Sequence, residues 1–133
     1  MSTDLVNAIA FAMQAHMGQV DKAGAPYILH PLRVMAAQNS AATRIVAVLH
    51  DVFEDSDMKP SDMIFDDGER LGEYTGEDIL CALESLTRRP GEKYDAYLER
   101  VAANPIGRKV KIADLFDNAR LDRFSQPTQK DQE

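Results

Sequence analysis

Cysteine is nearly absent from this sequence: Cys81 stands alone among 133 residues. A single thiol excludes an internal disulfide and any metal site built on several thiolates. Its neighbours Ile79, Leu80, Ala82 and Leu83 predict a buried, small apolar side chain for it. Long apolar runs are missing as well, and none approaches the ~20 residues of a membrane span. The opening residues, Met1 to Asn7, have neither the basic stretch nor the apolar core of a secretory leader. The expectation is a cytoplasmic protein without a membrane partner. Alternating β-branched and aromatic residues between turns are also lacking, which argues against strands. Positive charge is in deficit: the net charge is −7. An acidic surface repels duplex nucleic acid and acidic membranes, so nucleic acid is not an expected partner.

What is present is ordinary globular composition, 44% apolar, over the length of one domain. The apolar spacing is helical. Leu5, Ile9, Ala12 and Met13 repeat on one face, with Thr3 as N-cap and Gly18 as stop. Pro31 suits a first helical turn, so a second helix is expected from Pro31 to about Gln38. A third is expected from about Ala42 to Phe53, with Thr43, Val46, Ala47 and His50 in one stripe. Thr75-Gly-Glu-Asp78 reads as a capping box opening a helix to about Leu86. Tyr94 to about Ala103 and Ile106 to about Leu121 complete the set. The polar stretch Ser56 to Glu73 reads as a loop with one short helix. The expected fold is all-α, a compact bundle of about five to seven helices over residues 1–124. Residues 125–133 cannot bury apolar surface and are expected to fray.

Three polar clusters can carry chemistry. The densest is His50-Asp51-Val52-Phe53-Glu54-Asp55, directly after the apolar run Ile45 to Leu49. Acids at a helix C-terminus oppose the macrodipole, and ionisable groups beside a buried segment are costly unless coordinated or solvated. An exposed acidic helix end is the plain alternative. The second cluster is Tyr27-Ile-Leu-His30-Pro31, where proline stiffens the residue before it. A core or capping histidine would look the same. The third is Lys111-Ile-Ala-Asp114-Leu-Phe-Asp117-Asn118, in which Lys111, Asp114 and Asn118 can share a helix face. An intrahelical ion pair plus a surface amide would also fit it. Together, two histidines and two aspartates suit a first-row divalent metal such as Mn²⁺, Fe²⁺ or Zn²⁺. Glu54 and Asp55 stand where they could orient or deprotonate a water. The basic clusters Arg88-Arg89 and Arg108-Lys109-x-Lys111 could hold an anionic substrate, or could be ordinary helix-end charge.

Three stretches, Ala15-His16-x-Gly18-Gln19-x-x-Lys22-x-Gly24-x-Pro26-Tyr27-Ile28-x-His30-Pro31, Leu49-His50-Asp51-x-x-Glu54-Asp55 and Lys111-Ile112-Ala113-Asp114-x-x-x-Asn118, occur in this order and span most of the chain. They resemble the HD-domain hydrolases of the RelA/SpoT-homologue group, (p)ppGpp 3′-pyrophosphohydrolases of the stringent response, especially their small stand-alone members. The resemblance implies His30, His50, Asp51 and Asp114 as ligands of a metal, usually Mn²⁺. It implies Glu54 and Asp55 as catalytic residues serving the attacking water. Asn118, Lys22, Tyr27 and Lys111 would border a small-molecule nucleotide or phosphoester substrate. His16 falls in a family motif without being a ligand and reads as structural. Two departures stand out. The position before Lys22, usually arginine in long members, is Asp21. The chain also stops soon after Asn118, so no synthetase domain is expected. The alternatives are an HD phosphohydrolase for another nucleotide or phosphoester, and a non-catalytic nucleotide-binding or sensor module.

Overall fold

The structure, a computed structural model, describes residues 4–54, 57–63 and 70–124. In chain order it has α1 (Leu5–Ala15), α2 (Leu29–Ala36), α3 (Ala41–Leu49), a short 3₁₀ turn (Pro60–Asp62), β1 (Arg70–Leu71), β2 (Tyr74–Thr75), α4 (Gly76–Leu86), α5 (Tyr94–Ala102) and α6 (Pro105–Phe124). The expected all-α bundle is what forms, with six helices among the described residues. Beside the helices stand a minimal antiparallel hairpin, Arg70 opposite Thr75 and Leu71 opposite Tyr74, and an isolated antiparallel bridge between Val20 and Pro26. Gly72 turns the hairpin at φ +70°, a conformation costly for other residues. No described helix is long and apolar enough to cross a membrane.

Helix α3 is the hub. Residues Ala42, Thr43 and Ile45 to Leu49 are all buried, and α1, α2, α4 and α6 pack around it. A helix buried around most of its circumference is stable only when other elements surround it. Its start is capped by Ser40, whose hydroxyl accepts from the Thr43 N–H at 3.2 Å. Its end differs from expectation. The helix stops at Leu49 rather than Phe53, and residues 51–54 form a turn. The Val52 N–H bonds the Leu49 carbonyl, and His50 Nδ1 bonds the Ala47 carbonyl, so the last turn closes tightly.

Two other expectations are corrected. The cap of α1 is Asp4, which accepts from the Asn7 N–H at 2.8 Å; Thr3 lies outside the described residues. Cys81 is exposed, not buried. On α4, the inward stripe is Ile79, Ala82, Leu83 and Leu86, and Cys81 falls between its members on the other side. Sequence neighbours are not face neighbours on a helix. Partial burial, then Glu84, Glu77 and Asp78, raise the Cys81 thiol above its ordinary pKa, so the nucleophilic thiolate is disfavoured. Of the stretch Ser56 to Glu73, the described parts hold the 3₁₀ turn and β1; the expected frayed tail, 125–133, lies outside the described residues.

The α4 capping box is present as read: the Asp78 N–H donates to Thr75 Oγ1, and the Thr75 N–H to Asp78 Oδ2, at 3.2 and 2.8 Å. Thr75→Ala should therefore destabilise the protein by about 1 kcal/mol, measurable by urea denaturation with unchanged slope. In α6, a Cβ on Gly107 would meet Ser85 Oγ at 2.5 Å. The missing side chain lets α6 approach α4 closely. Asp114 lies two turns further along α6, on the same face.

Candidate metal centre

Four side chains from three places in the sequence converge beneath α3. His30 comes from the first turn of α2, His50 and Asp51 from the end of α3, and Asp114 from the middle of α6. One potential ligand atom from each lies within 4.8 Å of all the others. Asp114 Oδ1 is 2.8 Å from His30 Nε2 and 3.2 Å from His50 Nε2. Asp51 Oδ2 is 3.2 Å from His50 Nε2 and 3.7 Å from His30 Nε2. Both histidines and Asp114 are buried, while Asp51 is partly open.

The far side of each ring decides what the near side offers. His30 Nδ1 is 2.6 Å from Asp117 Oδ2, and His50 Nδ1 is 2.5 Å from the Ala47 carbonyl. Both partners accept, so each Nδ1 carries the hydrogen and donates. Both Nε2 atoms then present lone pairs, or a second proton, to two carboxylates. A neutral Nε2 facing a carboxylate is an acceptor against an acceptor, and only a proton or a cation relieves it. Without a metal, protons do so. Burial alone would lower the His50 pKa, but Asp51 and Asp114 raise it to about 10. His30 is raised too: burial opposes the shift, and hydrogen bonds to Asp114 and Asp117 outweigh it. Burial alone would raise the carboxylates, yet His50 brings Asp51 down to about 2, and His30 and His50 hold Asp114 well below the carboxylate range. The donor set of two imidazoles and two carboxylates, each ring held from behind, fits a first-row divalent cation.

The sequence alone did not reveal the outer partners. Asp117 accepts from His30 and, through its other oxygen, from Arg33 Nε at 2.7 Å. It stands three residues after Asp114 and so on nearly the same face of α6. That spacing was the available signal, but nothing local tied it to His30. The Asp117→Asn variant should weaken Mn²⁺ binding about 10–100-fold while keeping the helical far-UV spectrum. Calorimetric titration reads this directly.

The residues expected around a substrate fall into two groups. Tyr27, Lys111 and Asn118 touch the centre. Tyr27 donates its hydroxyl to Asp51 Oδ2 at 2.5 Å, and its ring lies between His16 and His30. Lys111 Nζ donates to Asp114 Oδ2 at 3.0 Å and sits 5.3 Å from the centre of the Tyr97 ring. Asn118 Nδ2 reaches Asp114 Oδ1 at 3.3 Å. Lys22 and Glu54 are exposed instead. Glu54 accepts from the Arg88 N–H at 2.9 Å, and Lys22 rides the turn between α1 and α2. Asp55 lies outside the described residues. Asp21 folds back on its own turn, accepting from the Ala23 and Ala25 N–H groups at 2.8 and 3.0 Å. Its carboxylate organises the turn that carries Lys22. His16 is buried, with Nδ1 on Gln19 Oε1 at 3.0 Å, in keeping with a structural role.

No family model matches the chain. It is similar to guanosine-3′,5′-bis(diphosphate) 3′-pyrophosphohydrolases of Vibrio cholerae, 38% identical over 128 residues, and Aquifex aeolicus, 29% identical over 129. These alignments cover 90% and 88% of the chain. It is 30% identical over 133 residues to a Mycobacterium leprae protein named probable GTP pyrophosphokinase, with 90% of the chain covered. The chain spans only 18%, 17% and 16% of these three relatives' lengths, respectively. The relatives are of the RelA/SpoT group, the group that the three sequence motifs resemble.

Proposed function

We propose that this chain is a divalent-metal-dependent phosphohydrolase that removes the 3′-pyrophosphate of (p)ppGpp. The observation that carries the reading is the convergence of His30, His50, Asp51 and Asp114 within 4.8 Å, with both imidazoles held from behind so that Nε2 faces inward. Those four would hold the metal, with Mn²⁺ the expected ion. A bound divalent cation supplies Lewis-acid polarisation of a phosphoryl oxygen and a lowered pKa for water. The names of the relatives favour a guanosine bis(diphosphate) as substrate.

The protein's own groups divide the remaining work. Tyr27 holds the partly open Asp51 in one orientation through its hydroxyl. Lys111 and Asn118 spend their donors on Asp114 and can each turn a donor to a phosphate oxygen at the same spot. Lys111 is kept charged: burial alone would lower its pKa, but Asp114 raises it. Glu54 uses Oε1 on the Arg88 N–H and has Oε2 to accept a proton from water. Asp55 follows it in the chain and is the second candidate for that proton.

A second reading, hydrolysis of another nucleotide or phosphoester, is favoured by Asp21. The turn bearing Lys22 carries one cation where the resemblance expects two. The deciding experiment follows pyrophosphate release from ppGpp by metal-stripped protein, with and without Mn²⁺. Mn²⁺-dependent release supports the first reading. Turnover of another nucleotide with ppGpp untouched selects the second, and nucleotide binding without turnover under any metal leaves a sensor module. Glu54→Ala should bind Mn²⁺ as wild type does and lose about 100-fold or more in turnover. Wild-type turnover in that variant would remove Glu54 from the chemistry.

A further inference from the structure

A groove of about 590 Å³ lies not at the metal centre but between α2 and α6. That size suits a small-molecule ligand. Its lining is unusual for a protein of net charge −7. Arg33, Lys109 and Arg120 contribute three cations, and Asp117 is the one acid. Asp117 is already engaged by Arg33 Nε and His30. The Arg33 Nη2 atom is buried with no hydrogen-bond partner, a donor lacking its acceptor.

Along α6 the groove residues recur at helical spacing. Lys109, Ile112, Phe116 and Arg120 lie in one stripe, with a cation at each end and apolar side chains between. Phe116 is 74% exposed, and Ile112 is 50% exposed. A flat ring can stack on an open phenylalanine. Arg120 stands one turn beyond Asp117, to which Arg33 is bonded, and both arginines line the groove. Guanidinium groups suit phosphate.

We propose that this groove is a second ligand site, separate from the metal centre, that takes a nucleotide: phosphates against Arg33 and Arg120, the base on Phe116. The site does not depend on what the metal centre hydrolyses. It uses no metal and none of the four metal-binding side chains.

The test uses the whole chain, stripped of metal in EDTA, with GDP as probe and guanosine as the phosphate-free control. Amide shifts in two-dimensional NMR locate the binding. GDP should move the amides of residues 37–39 and 109–120 most, and guanosine should bind at least tenfold more weakly. Arg120→Ala should weaken GDP at least tenfold and Phe116→Ala at least threefold. Both side chains are exposed, so both variants should fold. Shifts confined to Tyr27, His50 and Asp51, with unchanged affinity in the Arg120 variant, would place GDP at the metal centre and overturn the second site. So would the absence of any binding, or a concentration-dependent dimer abolished by Phe116→Ala, which would make the face a contact between copies. Turnover at the metal centre by the Arg120 variant reads that site independently.

Discussion

Asp114→Ala should abolish metal-dependent turnover and remove the stabilisation that Mn²⁺ confers on the wild type. No other side chain in the centre has as many partners: Asp114 is within bonding reach of His30, His50, Lys111 and Asn118. At Mn²⁺ one hundred times its Kd, the wild type should gain about 2.7 kcal/mol. Removal of a mere outer partner costs about 10–100-fold in affinity, so loss of a direct ligand should exceed that. A hundredfold loss leaves about 0.4 kcal/mol at the same concentration. Thermal denaturation with and without Mn²⁺ distinguishes these values easily. The metal-free variant should be helical but less stable at pH 6 by about 1–3 kcal/mol, because buried cations lose their acceptor. An unaltered Mn²⁺ shift in this variant would place the metal elsewhere.

The second large effect is the pH dependence of the centre. His50 in the metal-free protein has its pKa raised from 6.5 to about 10. A raised histidine contributes stability that is fully present below pH 6.5 and is lost as pH rises through about 10. Asp51, lowered from 3.8 to about 2, contributes stability present above pH 3.8 and lost as pH falls through about 2. The metal-free protein should thus gain most from this pair between pH 3.8 and 6.5. Metal binding runs the other way. A cation takes the place of the Nε2 protons, so Mn²⁺ affinity should climb with pH until His50 loses its proton near 10, by up to about tenfold per pH unit for each proton displaced. Calorimetry in buffers of different ionisation heat counts the protons released. A pH-independent affinity with no proton release would mean that the Nε2 atoms do not face the ion.

Local readings reached far where the determining contacts are short in sequence. The Thr75–Asp78 capping box, the stripe of α3 and the start of α5 at Tyr94 all rest on residues within a turn of one another. The same rules misjudged other places, the Thr3 cap among them. Cys81 was assigned by its sequence neighbours, whereas the face it occupies depends on which side of α4 meets the core. Helix α3 was extended through His50 to Phe53, whereas His50 turns its own Nδ1 onto the Ala47 carbonyl and the helix closes.

By itself, the sequence determined an all-helical chain, the types and spacing of four metal-binding candidates, and the chemistry that two imidazoles and two carboxylates permit. Only the tertiary structure decided that they meet. His50 and Asp114 are 64 residues apart, and His30 and Asp117 are 87 apart. It also decided which nitrogen of each histidine faces inward, that Tyr27 serves Asp51, that Asp21 is spent within its own turn, and that Arg33 and Arg120 share a groove. The physical reason is range. Caps and helical periodicity act over about four residues, whereas a buried polar side chain takes whichever partner the packing of distant helices brings to it.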